Sequence, residues 1–505
     1  MSDILTIVII ALYGIMLIGI GSWASKKIHN TEDYILAGRS LGFWVFTILM
    51  VASVCSGMTL VGVSGFGYAS GWPGIWEQIF VPLAASFAII VFGAKLHAVS
   101  KKTGYMTVED YLAHRYESPR TVRGLAAVSG IVVSLIYLVG QYTAISLVLV
   151  WLFNIPHTTA LIISAVIITI YTVIGGMYAV SWTTLIQGII LIVGVLIMAP
   201  LVIISAGGLT HINEVLASID PNMVQPFYPS PAYAAYAYCT PEFLFSFGIL
   251  LMVGLACAPH VINNILAAKE TKFFKWSPLV AFGIYLVVMF LVKFTGFAVR
   301  ALVEEGKLVL PATVNTQDFA FMYGIEYAMP NMLVWAFFAV IVLAAVMSTT
   351  DRLMLTIGTL FSWDVYRNLL KPNAPDREVL KVSQFCVVIA AVVSLFLAIN
   401  PPDMLAWLIW MGIGVMLATF AVPLLSALYW RRANGAGAIA SMLAGLIGSG
   451  IFGYYHKFVA PLPVHFSLIA LTLSALAMIV FSLMTPKNSE KVLDATMTGP
   501  YIQPK

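Results

Sequence analysis

The sequence predicts an all-α integral membrane protein of about thirteen transmembrane helices. Three observations predict it. Of 505 residues, 61% are hydrophobic and only 10% charged, with a mean hydropathy of +0.96; a soluble domain carries roughly 25% charged residues. Apolar runs recur at the ~20-residue length that a bilayer core demands. Lys and Arg gather in alternate connections, as a positive-inside bias produces.

Span one (3–25) has no basic start and is followed by Lys26 and Lys27, which predicts an outside N-terminus rather than a cleaved signal peptide. Span two (41–68) is interrupted, reading Ala52-Ser53-Val54-Cys55-Ser56-Gly57-Met58-Thr59 before Gly62, Gly65 and Gly67. Span three (75–98) leads into a basic connection with Lys101, Lys102, Arg115, Arg120 and Arg123. Span four (122–152) is followed by spans five (158–176) and six (180–205), which a short inner loop separates. The connection 206–240 holds no Lys or Arg and is read as outer. Span seven (242–267) is interrupted around Pro259-His260 and Asn263-Asn264, with Lys269, Lys272 and Lys275 behind it. In span eight (275–300), Lys293 lies about two turns before Arg300, so snorkelling to the outer interface is expected. Arg367, Lys371, Arg377 and Lys381 follow span nine (330–362), and span ten covers 379–399. Arg431 and Arg432 follow span eleven (403–429); spans twelve (434–455) and thirteen (464–485) precede a short flexible tail. The charge bias puts the N-terminus outside and the C-terminus in the cytoplasm of a multi-pass protein of the cell membrane.

Spans two and seven each open a block of five, and interrupted helices at matching places of two halves point to a binding site near the midplane. The expected organisation is a leading helix and loop (1–40), a first inverted repeat (41–205), an outer loop (206–241), a second repeat (242–430), two trailing helices (431–485) and a cytoplasmic tail (486–505).

Span nine carries the most informative stretch, Ala344-Ala345-Val346-Met347-Ser348-Thr349-Thr350-Asp351-Arg352. Polar and charged groups are expensive at that depth and read as functional. On a helix, Ala345, Ser348, Thr349 and Arg352 share one face. Neutral oxygens so arranged suit a small hard cation, which predicts an ion-coupled transporter. An enzyme is disfavoured: no nucleophile–base pair appears, no P-loop, and Cys55, Cys239, Cys257 and Cys386 show no metal spacing. Nothing suggests nucleic acid, a cofactor or an obligate protein partner; the expected partners are a small solute, the ion and the bilayer.

At these residues the chain resembles the sodium/solute symporter family, in its pantothenate- and monocarboxylate-like branch. The resemblance rests on Tyr34-Ile-Leu-Ala-Gly-Arg39, Thr107-Val-Glu-Asp-Tyr-Leu-Ala-His-Arg115, Tyr171-Thr-Val-Ile-Gly-Gly-Met-Tyr-Ala, Ile186-Gln187-Gly188, Pro259-His260, Ala267-Ala-Lys269, Met347-Ser-Thr and Tyr429-Trp-Arg-Arg-Ala-Asn434. It implies a five-plus-five inverted-repeat, LeuT-like core and import of a small organic solute with Na+. It implies a sodium site formed by the Ala52, Cys55 and Ala345 carbonyls and the Ser348 and Thr349 hydroxyls. It also implies substrate-lining positions at Val54, Ser56, Thr59, Glu77, Gln78, Gln141, Tyr142, Asn263 and Trp410.

Departures from the family pattern narrow the reading. Thr184 stands where many members have an Asp, and the span-nine positions that would complete a second ion site are Asp351 and Arg352. A single sodium is therefore expected, with Arg352 as a tethered substitute for the second ion or as part of an inner gate. Proline-type members have an Asp at Val54 and an Arg at Asn264, which makes proline a weaker candidate. The Pro402-Asp403-Met404 opening of span eleven matches the pantothenate and monocarboxylate branch. A substrate carboxylate could be held by Ser56 and by free backbone N–H groups at the span-two break. The alternatives are proton coupling through His260, Glu77 or Asp351, and a sodium-coupled proline or neutral amino acid symporter. His260 reads as a structural histidine or a proton carrier, and Glu77 as a substrate ligand or a partner within the bundle.

Overall fold

The computed structural model describes residues 2–228, 239–311, 316–399 and 405–497. Pro402, Asp403 and Met404 lie outside the described residues. Among the described residues, eleven helices are long and apolar enough to cross a bilayer. The pair Phe43–Val54 and Met58–Ser70, bent by 57°, makes a twelfth span, and the shorter apolar helix His157–Ile170 brings the number to the thirteen expected. No strand forms among the described residues; one isolated parallel bridge joins Leu41 to Ala268, behind the first helices of the two repeats.

Spans five and six are two helices within His157–Ser205 that meet at a sharp kink on a single residue. Gly176 takes φ +50°, and a Cβ there would lie 2.5 Å from the Tyr34 ring. The short inner loop expected from sequence is thus one glycine hinge, workable because only glycine adopts this backbone without strain.

Span two breaks at Cys55–Gly57. Cys55 is extended (φ −87°, ψ 102°), and a wider helical turn at Met58–Gly62 restarts the helix. Span seven (Pro241–Ala267) breaks before Pro259, with Ala258 extended (φ −63°, ψ 132°). Pro is tolerated there because the first helical N–H has no partner to lose.

Packing sorts the spans into two groups. Spans two, three (Trp72–Thr103), seven and eight (Ser277–Glu304) pack on one another; span four (Thr121–Phe153), the kinked pair of spans five and six, span nine (Met332–Leu370) and span ten (Asp376–Ala398) form the other. Spans two and eight both reach across to the five–six pair, and span two reaches span nine as well. The trailing helices Gly435–Phe458 and Phe466–Met484 pair with each other and against the Leu417–Ala421 turn of span eleven.

Two expectations fail. Lys293 does not snorkel: its side chain is 0% exposed and bonds Glu77, also 0% exposed, at 3.0 Å. Depth alone suggested the interface, but helix rotation turns Lys293 inward, where a carboxylate compensates its charge. The tail is not simply flexible either. Glu490–Met497 is a helix, held by Arg431 to Glu490 (2.5 Å) and Asp494 (3.0 Å). Asn488 donates to the Arg115 carbonyl (2.6 Å) and Ser489 to Glu117 (2.6 Å), so polar contacts anchor what hydropathy could not see.

Candidate ion and substrate site

The break in span two leaves carbonyls without helical partners, and span nine brings a hydroxyl to them. Thr349 Oγ1 lies 3.0 Å from the Ala52 carbonyl and 2.9 Å from that of Cys55. The preceding residue, Ser348, donates to the Ala345 carbonyl one turn back at 2.8 Å. All five residues are buried. Of the five oxygens expected to hold sodium, the Thr349 hydroxyl thus meets the Ala52 and Cys55 carbonyls across two spans, while Ser348 and Ala345 pair within span nine. Carbonyl and hydroxyl oxygens without formal charge suit a hard monovalent cation.

Below this cluster Arg352 closes the same seam. Its guanidinium donates to the Leu49 carbonyl (2.7 Å), Ser53 Oγ (2.5 Å) and, through Nε and Nη2, the Ser348 carbonyl (3.0 and 2.8 Å). Those bonds run to span two and to its own helix, and none to Thr184, whose buried hydroxyl has no hydrogen-bond partner. Asp351, one residue before Arg352, lies within electrostatic range of Tyr13, which Gln187 contacts at 3.0 Å. The three residues of the expected second-ion position thus separate: Arg352 faces the sodium cluster while Asp351 faces span one.

Ser53 is a junction that sequence reasoning missed. Besides Arg352 it receives Asn264 Nδ2 at its Oγ (2.6 Å), and its carbonyl lies 3.3 Å from His260 Nε2. A narrow cavity beyond is lined by His260, Asn263, Asn264, Arg352, Thr356 and Thr359. Asn263 Oδ1, Asn264 Oδ1 and His260 Nδ1 are buried there without partners.

On the other side of the cluster, side chains cap the amides of the break. Ser56 N–H donates to Thr59 Oγ1 (3.1 Å), Gly57 N–H to Gln141 Oε1 (2.9 Å) and Met58 N–H to Ser56 Oγ (3.2 Å). These N–H groups are occupied rather than free, a correction with a simple cause: buried donors need an acceptor. Gly57 permits the approach, since a Cβ there would meet Ala144 Cβ at 2.5 Å. Tyr285 of span eight, also missed, donates to the Val54 carbonyl (2.9 Å) and shares a bond with Thr59 Oγ1 (2.7 Å). Tyrosines in membrane helices are read by default as interfacial, which hid it.

The remaining substrate positions diverge. Tyr142 turns to Met354 Sδ (3.6 Å), as its place one residue after Gln141 dictates. Gln78 bonds the Gly74 and Ile75 carbonyls of its own preceding turn when its amide is oriented to satisfy both. Glu77 Oε2 holds Lys293 while Oε1 has no partner. Lys293 also lies over the Phe66 ring (4.4 Å), and Phe66 and Phe247 stack edge-on against buried Trp410 at 5.0 and 4.7 Å. Polar break, ion pair and aromatic triad together outline a site with one hydrogen-bonding side and one apolar side.

Residues 34–445 match the sodium:solute symporter family. The chain is similar to the sodium/pantothenate symporters of Haemophilus influenzae (28% identical, covering 82% of each chain) and Escherichia coli K12 (26%, covering 86% of this chain and 87% of the relative). It is similar also to the Escherichia coli K12 sodium/proline symporter (27%, covering 86% and 85%). Among solved structures, a Na+-coupled sialic acid symporter in a substrate-bound outward-open state matches with a TM-score of 0.76 at 19% identity, covering 96% and 98% of the two chains. Mhp1, a nucleobase-cation-symport-1 family transporter, matches at 0.58 with 14% identity, covering 93% and 99%.

Proposed function

The chain belongs to the sodium:solute symporter family, and from that premise we propose that it imports a small organic acid, a monocarboxylate or pantothenate, with one sodium ion by alternating access. The observation that carries the reading is the Thr349 hydroxyl set between the Ala52 and Cys55 carbonyls. As a donor it ties two carbonyls that the broken helix cannot satisfy. Rotated to offer a lone pair, it becomes a third oxygen beside them, and sodium takes over the link between span two and span nine. Binding the ion therefore fixes the seam between the two groups of helices, so sodium favours one arrangement of the pair over the other.

The substrate reading is supported by the capped break. Thr59, Gln141 and Ser56 supply oxygen acceptors to three successive N–H groups, where a carboxylate would be a stronger acceptor. The resumed half of span two presents its positive end there. Trp410, Phe66 and Phe247 would cover the apolar part of the solute. Arg352 supplies a fixed positive charge below the sodium cluster, which supports a single mobile ion per cycle.

Uptake into proteoliposomes tests this with labelled pyruvate, acetate, lactate, pantothenate, alanine and proline, under an inward sodium or proton gradient. The expected result is sodium-driven uptake of one of the acids, with a Hill coefficient for sodium near one, abolished by Ser348→Ala. Equal uptake under a proton gradient, indifferent to Ser348, would replace sodium by proton coupling. Proline as the preferred solute would overturn the acid assignment.

A further inference from the structure

A second cluster of ionisable groups lies far along span nine from the sodium residues. The helix Val108–Arg115, in the connection after span three, starts with a capping box in which Thr107 and Asp110 satisfy each other's backbone N–H. It places Glu109 and Asp110 against Asp364, near the end of span nine, and Arg123, near the start of span four. Arg123 bonds Asp110 at 2.6 Å and Asp364 at 3.3 Å; Thr107 donates to Asp364 at 3.1 Å and Trp363 Nε1 to Asp110 at 2.9 Å.

Three carboxylates thus face one guanidinium. Glu109 and Asp364 are 0% exposed, and Arg123 and Asp110 side chains only 11% and 9%. Both oxygens of Glu109 and Oδ2 of Asp364 have no hydrogen-bond partner. With all three ionised, two negative charges would stand uncompensated in a site closed to water, an arrangement that costs several kcal/mol per ion. Among the described residues, the neighbouring charges are engaged elsewhere. Arg115 is bonded to the carbonyls of Ala427, Trp430 and Ala433, His114 contacts Tyr105, and Arg431 pairs with the tail helix. On the span-nine side Arg367 pairs with Asp376 and Lys371 with Glu378. His260, the titratable group of the half-helix Pro259–Ala267, faces Ser53, and Arg120 is exposed.

We propose that Glu109, Asp110 and Asp364 form a proton-binding site that locks the connecting helix to span nine and span four, and that opening this joint releases the proton. Burial, and then the neighbouring Asp110, push the Glu109 carboxyl from 4.5 up to about 8. An opened joint would return Glu109 to its ordinary value. The closed joint is therefore favoured at acid pH, loses its advantage as pH rises between those two values, and loses no more above about 8. The connecting helix follows span three in the chain but packs chiefly on span four, with smaller contacts to the tail helix and to the second half of span seven, so protonation would hold the ends of spans four and nine to the connection that leaves span three. By the charge bias of the connections, this end faces the cytoplasm.

Amide deuterium exchange on the full-length protein in nanodiscs, with neither sodium nor substrate, tests the site. Protection of residues 107–124 and 359–370 is followed from about pH 5 to about pH 9 and corrected for intrinsic exchange. Protection of the wild type should fall by up to about tenfold per pH unit and level off near 8. Glu109→Gln removes one of the two excess charges and should show a shallower slope than the wild type. Asp364→Asn should do the same and serves where Glu109→Gln fails to fold. Glu109→Gln/Asp364→Asn, which leaves only the Asp110–Arg123 pair, should be protected and flat across the range. Wild-type protection that is constant with pH, single variants as steep as the wild type, or a slope that survives in Glu109→Gln/Asp364→Asn, would overturn the proposal. Because no ion or solute is present, that failure would leave the transport reading untouched.

Discussion

Thr349 and Lys293 show what a single side chain decides here. Thr349→Val keeps the shape and removes the hydroxyl that two buried carbonyls use, so roughly 1–3 kcal/mol of stability should go with it. The larger effect should be on the ion: apparent sodium affinity should fall at least about tenfold, as read by fluorescence titration, because an apolar methyl cannot complete the oxygen shell. Lys293 and Glu77 obey a different rule. Either Lys293→Met or Glu77→Gln strands a partner, or a cavity where it stood, in a closed site, and breaking such a pair typically costs about 3–5 kcal/mol. The double variant should recover much of that loss in thermal unfolding; additive losses would show that the two do not act as a pair. These cases also mark what could be read from the sequence. The hydroxyl pair on span nine was conspicuous because polar groups stand out in an apolar run, and carbonyl ligands can be proposed whatever side chains carry them. Lys293 was misjudged because hydropathy gives depth but not helix rotation, and its partner is 216 residues away.

At the scale of elements, breaks in helices do most of the positioning. Both interrupted spans were legible, because Gly, Pro and small polar residues interrupt apolar runs for reasons local to the chain. The hinge at Gly176 was legible only as a short loop, since two adjacent glycines do not reveal which one turns. Gly176→Ala should be among the most damaging small substitutions. It forces φ +50° on a residue with a Cβ and drives that atom to 2.5 Å from Tyr34, so a loss of more than about 2 kcal/mol is expected in thermal unfolding. Gly14→Ala serves as the contrasting substitution, because no positive φ is needed there and a Cβ would meet nothing within 4 Å. Tyr285→Phe probes the span-two break from behind. It removes the donor to the Val54 carbonyl and the contact with Thr59, neither of which is among the five proposed sodium ligands. Weaker sodium binding in this variant, with overall stability reduced by about 1–2 kcal/mol, would show that the break must be held in shape to bind the ion. Unchanged sodium affinity would assign Tyr285 to packing alone.

For the molecule as a whole, the seam between the two helical groups is where ion binding and folding stability meet. Ala52 and Cys55 lie on one group and Ala345, Ser348 and Thr349 on the other, so an ion bound between them would add to the contacts that already join the two groups. A ligand that binds the folded state alone stabilises it by RT ln(1 + [L]/Kd), about 2.7 kcal/mol at a hundredfold excess over Kd. Sodium should therefore raise the unfolding temperature of the purified protein, saturably, while potassium at equal ionic strength should not. In Thr349→Val and Ser348→Ala the sodium increment should vanish, although the variants still unfold cooperatively. In Glu77→Gln/Lys293→Met it should persist, because that pair lies away from the five oxygens. The pattern across the three variants separates an ion held at the seam from a general salt effect, which would raise all of them alike. A sodium increment retained in Thr349→Val would move the ion away from the broken helix, and with it the link between ion binding and the motion of the two groups.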